Sequence, residues 1–238
     1  MPPAAADVAA QLAAVRRRIA AAAARAGRSP AAIRLVAVSK TFGADLVRAA
    51  FAAGQTSFGE NRVQEGLEKA AALGEPAIEW HLIGHLQSNK ARKAAGAFAW
   101  IESIDRPEIL ARVSEAARDA GTRPRVLVQV DLAHEATKHG ADAGAVGDLV
   151  RAAIDAPGVD LRGLMTVPPF PATPEDSRPW FRQLRDLRDR LVAGGVPADR
   201  LSDLSMGMSQ DFEVAIEEGA TLVRVGTAIF GRRVPPHA

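Results

Sequence analysis

Residues 33–40 read IRLVAVSK, an apolar run that ends in a serine and a lysine. Two similar runs, VLVQV at 126–130 and TLVRV at 221–225, occur later in the chain. Continuous apolar runs of this length are typical of strands that are buried on both faces of a parallel sheet. Outward from these runs, short β-rich segments alternate with longer helical patterns along the whole chain. The sequence therefore predicts an α/β fold.

The alternating pattern predicts strands separated by helices. The strands are expected at 33–39, 57–59, 78–83, 99–103, 125–131, 159–165, 201–204 and 221–225. The helices are expected at 44–53, 61–73, 87–95, 106–119, 142–155, 175–193 and 210–218. Eight strands that alternate with helices in 238 residues fit a TIM (β/α)8 barrel. An open doubly wound sheet is the alternative, but no GxGxxG follows the first strand, which weakens its dinucleotide-binding version.

An extra helix is predicted before the first strand, and the chain is expected to form a single domain over 1–238. Leu12, Val15 and Ile19 recur at the spacing of one apolar helix face. The same segment is rich in arginine and poor in acidic residues, which is also the composition of a transit peptide. The regular apolar spacing favours a packed structural helix.

The composition excludes several chemistries. The chain has no cysteine, which excludes disulfides, thiolate metal sites, iron–sulfur clusters and thiol nucleophiles. It has no tyrosine, so no phenol serves as an acid, a base or a nucleophile. The 30 basic and 28 acidic residues are interspersed, so no nucleic-acid-binding face is indicated. No run of 18 apolar residues occurs, so no membrane segment is predicted. We also expect a cytoplasmic protein and no metal site.

Two loops near the end of the chain indicate a phosphate site. In a TIM barrel the functional site lies at the C-terminal ends of the strands, and the loops after strands seven and eight commonly bind a phosphate. Here these loops are SMGMS at 205–209 and Gly226-Thr227. Backbone N–H groups at such turns bind a phosphate dianion well, and a hydroxyl adds to them. The alternative is that Ser209 only caps the next helix and Gly226 only forms a turn.

Lys40 is one of only five lysines, and it follows the apolar run of the first strand. Its amine is expected to point into the barrel mouth, where burial lowers the pKa of an ammonium group. A neutral amine forms Schiff bases with carbonyl compounds. The alternative is a strand-end lysine that reaches solvent or pairs with Glu60. A phosphate site and an inward lysine together indicate a phosphorylated aldehyde or ketone, either pyridoxal phosphate or the substrate of a Schiff-base sugar-phosphate aldolase.

Arg224 helps to separate these two ligands because it interrupts the apolar last strand. A guanidinium group inside a barrel needs a buried acceptor. The ring nitrogen of pyridoxal phosphate would be such an acceptor, since arginine stays protonated. The alternative is an ion pair with Asp203 or Asp131. Arg224 thus favours pyridoxal phosphate.

Six segments carry a resemblance to a known family. They are LVAVSK (35–40), FGENRVQE (58–65), WHLIGHLQSNK (80–90), RGLMTV (162–167), LSMGMSQDFEVAI (204–216) and VRVGTAIFG (223–231). In this order they resemble the pyridoxal phosphate homeostasis protein family, from about residue 10 to residue 233. The resemblance implies one barrel of the alanine-racemase N-terminal type.

The resemblance also implies roles for particular residues. Lys40 would carry pyridoxal 5′-phosphate as an internal aldimine. The phosphate would be bound by Ser205, Gly207 and Ser209 of the SMGMS segment and by Gly226 and Thr227. Arg224 would face the ring nitrogen, Asn61 would line the ring pocket, and Lys138 would lie near the cofactor. We expect His81 to be an ordinary barrel histidine and Lys90 a surface residue at a helix start.

The resemblance further implies a carrier and not an enzyme. Racemases of this barrel class use a second base, which resembles a tyrosine from a separate C-terminal domain. This chain has no tyrosine, and only a short segment follows its last predicted strand before Ala238. We therefore expect a cytoplasmic, largely monomeric protein that buffers pyridoxal phosphate in vitamin B6 and amino-acid homeostasis and passes it to apo-enzymes. The alternative is a pyridoxal phosphate-dependent enzyme such as a weak racemase.

Overall fold

Eight parallel strands close into a barrel that is surrounded by helices. The computed structural model describes residues 5–133 and 139–231. The barrel strands are β1 (Arg34–Val38), β2 (Ser57–Glu60), β3 (Glu79–Leu82), β4 (Trp100–Ile104), β5 (Arg125–Asp131), β7 (Asp160–Thr166), β8 (Asp203–Ser205) and β9 (Leu222–Val225). Each strand pairs with the next in this order, and β1 pairs with β9 to close the ring. The predicted TIM barrel is confirmed.

The helices follow the strands as the alternating pattern predicts. They are α1 (Ala5–Arg25), α2 (Ala44–Ala52), α3 (Val63–Leu73), α4 (Ala91–Ala97), α5 (Pro107–Asp119), α6 (Val146–Asp155), α7 (Arg178–Ala193), α8 (Phe212–Glu217) and α9 (Thr227–Phe230). None of these helices is both long and apolar enough to cross a bilayer, a statement limited to the parts of the chain given above.

The side chains of the strands alternate between two cores. Val36, Trp100, Leu127, Met165 and Leu222 form a small apolar cluster inside the barrel. A much larger cluster fills the layer between the barrel and the surrounding helices. This division follows from the strand pleat, which directs successive side chains to opposite faces of the sheet. Polar residues two positions along a strand from a member of the inner cluster, such as Glu102 and Arg224, therefore also point into the barrel.

The N-terminal helix is also confirmed as a structural element. The apolar side chains of Leu12, Val15 and Ile19 are buried. α1 also carries arginines, and Arg18 forms an ion pair of 2.9 Å with Glu213 of α8. The arginines of this segment thus tie α1 to the barrel, as a packed amphipathic helix does.

Several elements differ locally from the prediction, and helices α4, α6 and α7 begin at 91, 146 and 178 instead of the predicted 87, 142 and 175. The two-residue strand β6 (Ala141–Asp142), which pairs with β5, and the four-residue helix α9 are too short to give a periodic signal. Helix α8 begins at Phe212 and not at 210. The reason is that the carboxylate of Asp211 accepts the N–H of Met208 at 2.7 Å and holds the preceding residues in a turn.

Candidate functional site

Lys40 lies at the mouth of the barrel, between the ends of β2 and β9. Along β1, Val38 is level with Gly59 of β2, and Ala37 is level with Val225 of β9. Lys40 comes two residues after Val38 and is partly buried. The register therefore places Lys40 beside the loops that follow the two neighbouring strands.

A buried ion pair fixes the backbone before Lys40. The ammonium of Lys69 donates hydrogen bonds to the carbonyl oxygen of Ser39 and to Glu60 Oε1, each at 2.7 Å. The Ser39 hydroxyl donates to the same carboxylate oxygen of Glu60 at 2.5 Å. Glu60 is thus bound by Lys69, nine residues later in the chain, a contact that no local sequence pattern predicts. Burial raises the pKa of Glu60, and Lys69 and Ser39 only partly counteract this.

The backbone after Lys40 is held from the same side. Glu65 accepts the third hydrogen bond of the Lys69 ammonium, at 2.8 Å, and it also accepts the N–H of Thr41 at 2.5 Å. Burial tends to raise the pKa of Glu65, but these two hydrogen bonds hold it below the ordinary value. Thr41 has a φ of 70°, a left-handed conformation that is costly for a β-branched residue. Lys69 and Glu65 therefore hold Lys40 from both ends.

The loops after β8 and β9 meet at the hydroxyl of Ser209. Its Oγ accepts the backbone N–H of Gly226 at 3.2 Å and that of Ala228 at 3.3 Å. The side chain of Thr227, which lies between these two residues, is exposed. The structure thus brings Ser209, Gly226 and Thr227 together. Ser209 does not cap α8; it caps the last short helix instead.

Two glycines allow this close approach. Gly207 has a φ of 92°, and a Cβ atom there would lie 2.5 Å from the Cβ of Ala215. A Cβ atom at Gly226 would lie 3.2 Å from the carbonyl oxygen of Val38 on β1. The loops after β8 and β9 therefore pack directly against α8 and against the strand that carries Lys40.

Arg224 is buried inside the barrel, one layer below Gly226. Its Nη1 donates to Ser205 Oγ at 2.6 Å, and its Nη2 donates to the carbonyl oxygen of Thr166 at 2.8 Å. The Ser205 hydroxyl in turn donates to Glu102 Oε2 at 2.5 Å. The other carboxylate oxygen of Glu102 lies 2.7 Å from Nδ1 of His81. A continuous chain of buried polar contacts therefore crosses the barrel from β9 to β3.

The charges in this chain influence each other strongly. Burial tends to raise the pKa of Glu102, but the hydrogen bond from His81 and the charge of Arg224 hold it below the ordinary value. Burial also lowers the pKa of Arg224, and Glu102 counteracts this. Glu102 is thus the charge that balances Arg224, and not Asp203 or Asp131, the partners that the sequence offers for an ion pair. His81 also lies flat against Trp100, with 5.3 Å between ring centroids.

The predicted site residues fall into three groups. Lys40 and Asn61 lie at neighbouring strand ends. The backbone of Asn61 packs closely against Gly84, since a Cβ atom at Gly84 would lie 2.3 Å from the carbonyl oxygen of Asn61. Ser209, Gly226 and Thr227 lie together in the turn for which the sequence predicts phosphate binding. Ser205 belongs with Arg224 and Glu102, although its position in the SMGMS segment predicts the phosphate loop. Lys138 lies outside the described residues.

Two functional candidates were missed from the sequence, Glu102 and Lys69. Glu102 interrupts the apolar strand β4 in the same way that Arg224 interrupts β9, and that pattern could have identified it. Lys69 lies on α3, and its spacing to Glu65 predicts a pair on the helix surface but gives no signal of a buried contact with Glu60.

Three kinds of functional group lie near the C-terminal mouth of the barrel. Lys40 supplies an amine. Ser209 Oγ accepts two backbone N–H groups and keeps its own proton, which suits an anionic oxygen. Arg224 supplies a buried positive charge that does not give up its proton. Together these groups suit a small phosphorylated carbonyl compound.

Comparison with known proteins finds similarity along nearly the whole chain. The family model described as alanine racemase, N-terminal domain, matches residues 10–234. The pyridoxal phosphate homeostasis protein of Pseudomonas aeruginosa is 46% identical over 227 residues, which cover 95% of this chain and 96% of that relative.

Solved structures share the barrel. PipY of Synechococcus elongatus with PLP bound is 39% identical, with a TM-score of 0.83, and the match covers 94% of this chain and all of PipY. Alanine racemase from Streptomyces coelicolor is 24% identical, with a TM-score of 0.68. That match covers 93% of this chain but 59% of the racemase, and it shows a shared fold alone.

Proposed function

The chain belongs to the pyridoxal phosphate homeostasis protein family, and from this premise we propose that it binds pyridoxal 5′-phosphate and acts as an intracellular carrier and buffer of that cofactor. In this proposal the cofactor is held covalently, as a Schiff base, by Lys40. The role serves vitamin B6 and amino-acid homeostasis, which places the protein in the cytoplasm with the apo-enzymes that receive the cofactor.

The main support for the proposal is that the amine of Lys40 lies near the turn proposed to bind the phosphate. Lys40 follows β1, and the turn formed by Ser209, Gly226 and Thr227 follows β8 and β9, of which β9 pairs with β1. Gly226 packs against Val38, two residues before Lys40. A ligand that carries both an aldehyde and a phosphate can therefore reach both groups at once.

The residues present fit pyridoxal phosphate. The cofactor supplies an aldehyde that reacts with amines and a ring that withdraws electrons. Ser209 Oγ accepts two backbone N–H groups and keeps its own proton to donate to a phosphate oxygen. Arg224 would hold its positive charge at the ring nitrogen, and Asn61 would line the ring pocket. Gly207 gives the loop its tight turn, and Lys138 is proposed as a further contact.

A carrier role is favoured over catalysis by Arg224. Arginine keeps its proton at physiological pH, so a ring nitrogen beside it stays unprotonated and the ring withdraws fewer electrons. Within the 238 residues there is also no tyrosine to act as a second base. Phe170 is the only large apolar side chain that is exposed in the described segments, which supports a monomer.

The first experiment tests the attachment. The purified protein should be yellow, and reduction with borohydride should leave the cofactor on the peptide that contains Lys40. Lys40→Ala should be colourless, whereas Lys93→Ala, which changes an exposed lysine of α4, should stay yellow. A Lys40→Ala protein that still became labelled on reduction would exclude Lys40.

The second experiment separates a carrier from an enzyme. The loaded protein should transfer its cofactor to an apo-enzyme, and the transfer rate should be compared with the rate of release into buffer. Solvent deuterium should not enter the α-carbon of amino acids at an appreciable rate. Rapid exchange that depends on Lys40 would instead identify a racemase or a related enzyme.

A further inference from the structure

Three side chains with metal-binding atoms converge on the other side of the barrel mouth. His85 follows β3, Asp105 follows β4, and His139 lies in the loop after β5. One imidazole nitrogen from each histidine and one carboxylate oxygen lie within 4.8 Å of one another. These three residues differ from those proposed to hold the cofactor, although His139 directly follows Lys138, the further cofactor contact proposed above.

The geometry of this cluster leaves a buried nitrogen without a partner. Nδ1 of His85 lies 3.3 Å from Asp105 Oδ2, but the contact lacks the directions of a hydrogen bond. The ring of His85 stacks on the ring of His139, with 3.6 Å between centroids and 16° between planes. A buried polar atom without a partner costs about 1–3 kcal/mol, so such atoms often mark a functional site.

Hydrogen bonds fix the backbone before His85, the backbone of His139 and the carboxylate of Asp105. The Ser103 hydroxyl donates to the carbonyl oxygen of Gly84, directly before His85, at 2.7 Å. Gln129 Nε2 donates to the carbonyl oxygen of His139 at 2.5 Å. Arg106 binds Asp105 Oδ1 at 2.8 Å, which leaves Oδ2 on the side of His85. Partners of this kind orient the ligands in metal sites.

We propose that His85, Asp105 and His139 form a binding site for a divalent transition metal ion of the Zn²⁺, Co²⁺ and Ni²⁺ class. Two imidazoles and one carboxylate are a ligand set that these ions accept, with water in the remaining positions. Metal–nitrogen bonds of about 2.0–2.1 Å require ligand atoms roughly 3.3 Å apart. His85 and Asp105 already meet this spacing, and His139, which is exposed, moves closer by rotation of its side chain.

The test uses Co²⁺ as a spectroscopic probe on protein without an affinity tag. Titration should produce visible d–d absorption bands that saturate at one ion per chain, measured as difference spectra against the unloaded protein. His85→Ala and Asp105→Asn should each weaken Co²⁺ binding by about tenfold or more. His237→Ala removes a different histidine and should bind Co²⁺ as the parent protein does.

We expect both substitutions to leave the fold intact, because Asp105→Asn preserves side-chain shape and His85 is partly exposed. Thermal unfolding without Co²⁺ should show this for both variants. The proposal is overturned if the parent protein gives no d–d bands, or if both site variants bind Co²⁺ as tightly as His237→Ala.

Discussion

The ammonium of Lys69 lies 2.7 Å from the carbonyl oxygen of Ser39, the residue directly before Lys40. Through Glu65 the same ammonium is linked to the N–H of Thr41, the residue directly after Lys40. A reactive amine must be held in one orientation to meet its partner atom. Lys69 therefore acts as a positioning residue for Lys40, from the outer face of the barrel wall.

Lys69→Met should reduce both stability and cofactor affinity. The substitution leaves the buried carboxylate of Glu60 without its cation, and breaking a buried ion pair costs about 3–5 kcal/mol in the free energy of unfolding. Urea unfolding measures this loss, and titration with pyridoxal phosphate measures the affinity. Lys93→Met, at an exposed lysine, is the matched control.

The loss of stability caused by Lys69→Met should also depend on pH. Burial already raises the pKa of Glu60, and without Lys69 this pKa rises further. A carboxyl group with a raised pKa stabilises the folded state below its unfolded pKa and loses that contribution as the pH rises. The destabilisation by Lys69→Met should therefore be smaller in acid than at pH 7. Equal stability and affinity in the two lysine variants would contradict the positioning role.

A second pH effect should come from Glu102. Its pKa is held below the ordinary value, so its contribution to stability is present above its unfolded pKa of about 4.5 and is lost as the pH falls through the folded value. Glu102→Gln keeps the shape of the side chain but no longer titrates. The difference in the free energy of unfolding between the parent protein and this variant should therefore narrow on acidification.

Denaturant unfolding from pH 7 down to about pH 3 measures this difference. Glu115→Gln, which changes an exposed carboxylate on α5, is the control and should leave the pH profile unchanged. A constant difference between the parent protein and Glu102→Gln across this range would show that Glu102 does not titrate with folding.

Arg224 and Glu102 show which parts of the site can be predicted from the sequence and which cannot. Apolar runs predict the strands because a buried parallel strand needs apolar side chains on both faces. The position of Lys40 at the end of such a run predicts that it reaches the mouth. The partner of Arg224 depends on which strands face each other across the closed barrel. Glu102 is 103 residues from Ser205, and no local pattern encodes that contact.

Lys69 illustrates the same limit within a short stretch. It is nine residues from Glu60 and four from Glu65. The spacing to Glu65 predicts an ordinary helix-surface pair. Only the packing of α3 over the ends of β1 and β2 removes this pair from solvent and brings it to the backbone of Lys40.

Ser209→Ala should weaken retention of pyridoxal phosphate. The hydroxyl is proposed to donate a charge-assisted hydrogen bond to the phosphate, worth about 1.5–3 kcal/mol. The dissociation constant should therefore rise by about tenfold or more, because 1.4 kcal/mol corresponds to a factor of ten. Equilibrium dialysis followed by visible absorption measures it. Ser202→Ala, just before the start of β8 at the opposite end of the barrel, should retain the parent affinity.

Adding Thr227→Ala to Ser209→Ala should weaken retention further without unfolding the barrel, since the side chain of Thr227 is exposed. Far-UV circular dichroism and thermal unfolding check the fold. Unchanged retention in the double variant would contradict the placement of the phosphate at this turn.

Gly207→Ala should damage both the fold and the site, and a second glycine separates the two causes. Gly207 and Gly195 both have a positive φ, 92° and 99°, so an alanine is strained at either position. A Cβ atom at Gly195 would meet nothing within 4 Å, whereas one at Gly207 would lie 2.5 Å from the Cβ of Ala215. Backbone strain alone costs about 1–3 kcal/mol, and overpacking adds a similar amount only at Gly207.

The free energy of unfolding should therefore fall more for Gly207→Ala than for Gly195→Ala. The carbonyl oxygen of Gly207 accepts the backbone N–H of Arg224 at 2.9 Å, so displacement of this loop also displaces Arg224. Cofactor affinity should consequently fall in Gly207→Ala and stay unchanged in Gly195→Ala. If both variants retained the cofactor equally, the contact between Gly207 and α8 would have no part in shaping the pocket.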